Sequence, residues 1–216
     1  MNLSSQIALG IAALAAGVGA VKLAQRFGGP KPLSARRKFV LDAISQVVPA
    51  QYGDAKFTKI APGYDADDPN LPHGFTTCGY LPCYVGRVLN APKCITQGGL
   101  EQMRTNGRKE GSWVDATGAN RPSPGDLFGI GGPNLIVHVG VIIDASGDIW
   151  KTADAGQGGI GTGQQAKYLD RPYDAATHTL GGPGAQLIPG KGWTVRGDSR
   201  TIAGWIDIDK VAGATP

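Results

Sequence analysis

The chain predicts an α+β fold in which N-terminal helices pack on an antiparallel sheet, preceded by an apolar N-terminal helix. Helical spacing of apolar residues is confined to the first half, and strand-like runs fill the second. A hydrophobic content of 41% against 18% charged residues describes a folded chain with a real core, and 216 residues suffice for one domain of ordinary size. The 34 glycines and 15 prolines follow no collagen-like period, so they mark short elements joined by many loops.

From the N-terminus, Ile7 to Val21 is an uncharged run of small and aliphatic residues. It falls short of the roughly 20 residues that span a bilayer comfortably, although a snorkelling Lys22 could extend it. Residues 1–27 are therefore expected to form a membrane-anchor or signal-like helix, associated with a membrane or a particle. The basic residues Lys22, Arg26, Lys31, Arg36, Arg37 and Lys38 follow the run, and for a lone span they place the rest of the chain on the cytoplasmic side. Residues 28–33, beginning Gly28-Gly-Pro-Lys-Pro, read as a linker, and 34–216 as the folded domain.

Within that domain Ser34 is a candidate cap for a helix over Ala35 to Val48, with Phe39, Val40, Ala43, Ile44 and Val47 at helical spacing. Tyr52 to Phe75 has no period and predicts a loop. Cys78 to Leu89 predicts a second helix, whose regular part begins near Gly79 or Tyr80 because Pro82 is tolerated only in a first turn. Leu100 to Thr105 predicts a short helix with Asn106-Gly107 as its stop. Strands are expected at Asp126 to Ile130, Ile136 to Ile143, Ile149 to Ala153, Gly192 to Arg196 and Trp205 to Ile208. Ala155 to Gly163 reads as a glycine-rich loop, and Gln164 to Tyr168 as one helical turn.

Chemistry is concentrated at three places. Cys78, in Thr76-Thr-Cys-Gly-Tyr-Leu, stands at a helix mouth, where unpaired amides favour a thiolate, and Gly79 leaves room for a substrate backbone. Cys83 lies deeper in the helix, and Cys83 and Cys94 read as small buried residues. Three cysteines fit a reactive thiol plus bystanders better than a disulfide framework, and without a second Cys-x-x-Cys or a His-x-x-x-His no metal or cofactor is expected.

His138 sits within a strong strand, unlike His73 and His178, which fall in aperiodic segments. Val137 and Val139 point to the opposite face, and Gly140 shares the face of His138 with space for a neighbouring sulfur. An imidazole base works best when a third group fixes its tautomer. A turn centred near Ser146 would pair Ile142 with Trp150, Gly140 with Thr152 and His138 with Asp154. Asp154 is therefore the candidate orienting residue, while Asp126 and Asp148 are assigned to turns.

Thr77-Cys-Gly-Tyr-Leu at a helix start, Pro124-Gly-Asp-Leu-Phe entering a strand and His138-Val-Gly-Val-Ile before a hairpin occur in the order cysteine, histidine, polar residue. Together they resemble the NlpC-type and CHAP-type branches of the papain-like cell-wall hydrolases. The resemblance covers Ser34 to Asp209. It implies a papain-like fold, a cysteine peptidase or amidase, peptidoglycan peptides as substrate, and Cys78, His138 and Asp154 as nucleophile, base and orienting residue. Thr77 and Gly79 depart from the neighbours usual in those families, so no side-chain oxyanion donor is assigned.

A cell-envelope, membrane-associated or phage-virion setting follows from the same reading. The mild net charge of +4, with no basic stripe interleaved with aromatics, argues against nucleic acid as a partner. Two alternatives stay open: a membrane- or virion-associated structural or binding protein with an inactive papain-like fold, and a thiol amidase or transferase acting on a small amide outside the wall.

Overall fold

The computed structural model describes residues 32–67, 77–91, 95–96, 99–117, 120–132, 135–158, 163–181, 187–188, 192–193 and 200–214. The apolar run expected to form an N-terminal anchor, His73, Cys94 and part of the glycine-rich loop lie outside these residues. Among the described residues no helix is long and apolar enough to cross a membrane.

Helix α1 spans Ala35–Val47, and the Ser34 hydroxyl accepts from the Arg37 amide as its N-cap. Its buried face is Arg37, Val40, Ala43, Ile44 and Val47, whereas Phe39, predicted for that stripe, is exposed. A short strand β1, Ala50–Gln51, leads to α2, Ala55–Ile60, within the stretch read as a loop. Only Phe57 and Ile60 of this helix are buried, and two apolar positions one turn apart are too few to show a period. A 3₁₀ turn, Thr77–Gly79, then feeds α3, Tyr80–Val88, with Pro82 in its first turn.

Helix α4 runs Leu100–Glu110, past the expected stop, and ends at Gly111 in the left-handed region. Gly107 is needed for a different reason. A Cβ there would lie 2.4 Å from Ile206 Cδ1 and 3.0 Å from Trp113 Cβ, so the glycine lets the helix sit on the sheet.

The strands are β2 Trp113–Asp115, β3 Leu127–Gly132, β4 Leu135–Asp144, β5 Ile149–Gln157, β6 Gln165–Asp174, β7 Thr179–Leu180, β8 Leu187–Ile188, β9 Gly192–Trp193 and β10 Arg200–Ile206. The main sheet is antiparallel in the order β1-β6-β5-β4-β3-β10-β2, and β7 pairs with both β6 and β10, closing it into a barrel. Gln164 to Tyr168 is therefore not helical. Glutamine, alanine and lysine are good helix formers, but intrinsic propensity is a small effect, and pairing with β5 and β1 overrides it. Ala155 to Gln157, assigned to the loop, extends β5.

Two apolar clusters divide the interior. One joins Val40, Ile44, Leu81 and Val85 of the helices to Val139, Val141 and Ala153 on one face of the sheet. The other lines the barrel with Phe128, Ile130, Ile142, Trp150, Tyr173, Leu180, Ile202 and Trp205.

Arg37 ties α1 to this frame. It is buried and reaches Asp126 at 2.7 Å, Asp207 at 2.6 Å, Asp209 at 2.7 Å and the Pro124 carbonyl at 3.0 Å. Asp126 also accepts from the Ser123 and Ile208 amides, so the Pro-Gly-Asp turn anchors a helix as well as shaping a strand start. Burial pushes Asp126 up to about 6, opposed by Arg37 and these amides.

Candidate active site

Cys78 lies in the 3₁₀ turn ahead of α3, buried at 5% exposure, and is not disulfide-bonded. The turn packs against β4 and β5. Thr77 fastens it: its amide and hydroxyl both donate to Gln164 Oε1, at 3.1 and 2.9 Å, and the Gly156 amide donates to the Thr77 hydroxyl at 3.1 Å. Thr77 and Gln164 are fully buried, so the residues flanking the thiol are held without relying on water. On the other side the Thr96 hydroxyl donates to the Gly79 carbonyl at 2.7 Å. The space beside Gly79, expected to admit substrate, is faced by Leu100 and Thr96 instead.

Cys83, read as a free bystander, is disulfide-bonded. One helical turn beyond the nucleophile candidate, it is a structural crosslink rather than a rival thiol. The spacing of three cysteines could not reveal that, because pairing depends on how the chain folds back.

His138 shares a sheet face with Gly140 and Ile142, and its ring lies 6.2 Å from the Phe128 ring, centroid to centroid. Its Nε2 lies 2.5 Å from Asp154 Oδ1. An ionised carboxylate only accepts, so Nε2 carries the proton and donates. The imidazole also hydrogen-bonds the Cys78 side chain, for which Nδ1 is the remaining nitrogen. The structure thus brings together all three residues singled out in the sequence, from a turn, β4 and β5.

The register that achieves this differs from the expected one. Val141 pairs with Ala153 and Ile142 with Thr152, and a bulge separates Ile142 from Asp144. Continued towards the site, this register sets Asp154 opposite Gly140, with His138 on the diagonal. The offset from the expected pairing is two residues, an even number, so the carboxylate keeps its face. Gly140 itself makes room for the Phe128 ring, not for sulfur: a Cβ would lie 2.7 Å from Phe128 Cε1 and 2.8 Å from the Ala153 carbonyl oxygen.

Asp154 is fully buried and has two more partners. Arg171 Nη2 donates to Oδ1 at 2.7 Å, and the Thr152 hydroxyl donates to Oδ2. Burial works against its charge, but Arg171 and then His138 hold its pKa down to about 2. For His138 burial again opposes the charged form. The hydrogen bonds to Asp154 and Cys78, with their negative charge, outweigh it and lift the imidazole to about 9. At neutral pH the ring is an imidazolium held between a carboxylate and a sulfur, the arrangement in which a cysteine acts as a nucleophile.

His178 is half-buried, with Nδ1 3.3 Å from the Tyr173 hydroxyl, away from this cluster. Asp148 is exposed near the β4–β5 turn, within 3.7 Å of Arg121. Arg171, Thr152, Thr77 and Gln164 were not legible as site residues. Arg171 sits beside Pro172 in a strand without clean alternation, and nothing local marks a charged residue as buried.

A cavity of about 340 Å³ lies between α4 and β10, lined by Met103, Gly107, Ile206 and Val211 among others, and holds none of the three residues. Among the described residues no cluster of side chains suits a metal ion. Compared with known proteins, the chain matches no family model, no curated protein and no solved structure.

Proposed function

We propose that the domain is a papain-like cysteine hydrolase acting on amide bonds of bacterial peptidoglycan, with Cys78 as nucleophile, His138 as general acid and base, and Asp154 as the orienting carboxylate. The reading is carried by one observation, the imidazole of His138 placed between Asp154 at 2.5 Å and the Cys78 side chain. These residues come from elements 60 and more residues apart for the thiol and on neighbouring strands for the other two, in the order that the cell-wall hydrolase motifs share.

In the proposed reaction the Cys78 thiolate attacks the amide carbonyl carbon, and backbone N–H groups at the mouth of α3 hold the resulting oxyanion. The imidazolium gives its proton to the leaving amine as the C–N bond breaks, leaving a thioester. His138, now neutral, takes a proton from water, whose oxygen attacks the thioester. The acid leaves and the thiolate–imidazolium pair returns. Asp154 keeps the ring oriented throughout.

The substrate class rests on the motif resemblance, and a disulfide at Cys83 is in keeping with an envelope or extracellular setting, since cytosolic thiols are held reduced. Purified peptidoglycan should release soluble fragments with a new amine or carboxyl terminus, identified by mass spectrometry. Cys78→Ala should abolish release and leave the circular dichroism spectrum unchanged. Full release by that variant would refute the assignment.

A further inference from the structure

We propose that Arg171 is a positioning residue of the site: a buried cation that acts on the Cys78–His138 pair through Asp154. The inference rests on the cysteine-hydrolase reading and adds a fourth residue to it.

Arg171 projects from β6 and is only 5% exposed. A buried guanidinium is costly unless its charge is answered, and Asp154 is the carboxylate that answers it, at 2.7 Å. The remaining donors are aligned as well: Nε reaches the Thr152 hydroxyl at 3.3 Å and Nη1 the Gly181 carbonyl at 3.4 Å. Thr152 donates in turn to the second oxygen of Asp154. The carboxylate is therefore gripped from β5 and β6 while its Oδ1 faces His138. Its plane and position are set before the imidazole is considered.

The charges bear on the same conclusion. Around Asp154 stand His138 from β4, Arg171 from β6 and Cys78 from the turn. Lys167, its partner across β6, is exposed, as are Lys151 and Asp170, which pair with each other further along. Among the described residues Arg171 is thus the buried cation facing the carboxylate besides His138. With Asp154 balanced by Arg171, the positive charge of His138 is left to balance the thiolate, and the four groups sum to zero. A guanidinium keeps its charge across the working pH range, so this balance does not vary with pH. The hydrogen bonds of Arg171 go to Asp154, Thr152 and the Gly181 carbonyl and not to the sulfur, so its influence passes through Asp154.

The test is the pH dependence of Cys78 alkylation by iodoacetamide in the full chain, followed by mass spectrometry of the Cys78 peptide. It reads the thiolate without needing a substrate. In the wild type, fast alkylation should persist well below the pH at which an ordinary thiol protonates. In Arg171→Met the acidic limb should move up by roughly one pH unit or more. In Arg171→Lys, which keeps the charge, it should stay near the wild-type position even if the rate falls. The loss caused by Arg171→Met should not add to that caused by Asp154→Asn, since both act through one carboxylate. If Arg171→Met alone fails to fold, Asp154→Asn/Arg171→Met compared with Asp154→Asn still decides, because a further loss there contradicts action through Asp154. An unmoved limb in Arg171→Met, or equal shifts in the Met and Lys variants, would overturn the role of Arg171 while leaving the nucleophile assignment intact. Wild-type alkylation that follows an ordinary thiol would instead overturn the Cys78–His138 pair, and the role of Arg171 with it.

Discussion

Replacing Asp154 by asparagine separates charge from geometry at this site. The side-chain oxygen of asparagine can occupy the position of Oδ1 and accept from both His138 Nε2 and Arg171 Nη2. Its amide can donate to the Thr152 hydroxyl, which can turn its own proton towards the Leu169 carbonyl at 3.5 Å. Hydrogen bonding survives, and only the negative charge is lost. Arg171 then stands as an unanswered cation beside the imidazole, and burial already disfavours the charged ring.

The pKa of His138 should fall from about 9 to below the ordinary histidine value of about 6.5. A fall of more than two units corresponds to about 3 kcal/mol, or a factor of about 10² in the protonation equilibrium of the ring, and at pH 7 it takes the protonated fraction from nearly all to about a quarter or less. The expected outcome is a loss of about fourfold or more in both Cys78 alkylation and peptidoglycan cleavage at pH 7, with little change in fold. Rates equal to those of wild type at pH 7 would refute the electrostatic account of the site.

Stability should depend on pH through the same histidine. Its folded-state pKa is raised, so its contribution is fully present below about 6.5 and is lost as pH rises through about 9. Urea unfolding should show a decline of at most about 3 kcal/mol across that window, and His138→Gln should flatten it. Asp126→Ala leaves the buried Arg37 short of a partner and strands the Ser123 and Ile208 amides, and should cost about 3–5 kcal/mol in the same assay. Gly140→Ala forces a methyl against the Phe128 ring and the Ala153 carbonyl, and should destabilise by about 1–3 kcal/mol, read as a lowered melting temperature.

The parts of the site legible in the sequence were those with local signatures. A cysteine ahead of a helix with proline in its first turn, and a histidine in an apolar strand, are patterns of a few residues. Asp154 was reachable only through the hairpin, where the pairing was off by two residues and its parity still placed the carboxylate on the correct face. Arg171 comes from β6, and Gln164 immediately precedes that strand, whose first residues favour a helix and whose strand conformation is imposed by its neighbours. Their roles are long-range facts that no window of adjacent residues contains. The same holds for Gly107, whose place beside Asn106 suggests a stop while its real constraint is Ile206, about a hundred residues away. Barrel closure by the two-residue strand β7 was equally out of reach, because so short a strand carries no periodicity.

The bulge between Ile142 and Asp144 bears on how freely this hairpin can change. At the turn Asp144 pairs with Lys151, and regular continuation from there would set Val141 against Asp154, turning the carboxylate to the helix-facing side. The extra residue absorbs that mismatch, so the pairing beyond Ile142 is governed by the core rather than by the turn. The exposed tip at Ser146, Gly147 and Asp148 is thereby insulated from the chemistry at the other end of the strands. Loop grafts, affinity tags or fluorescent reporters placed there would leave the register at Asp154 untouched, giving the domain a handle for immobilisation that does not tax its active site.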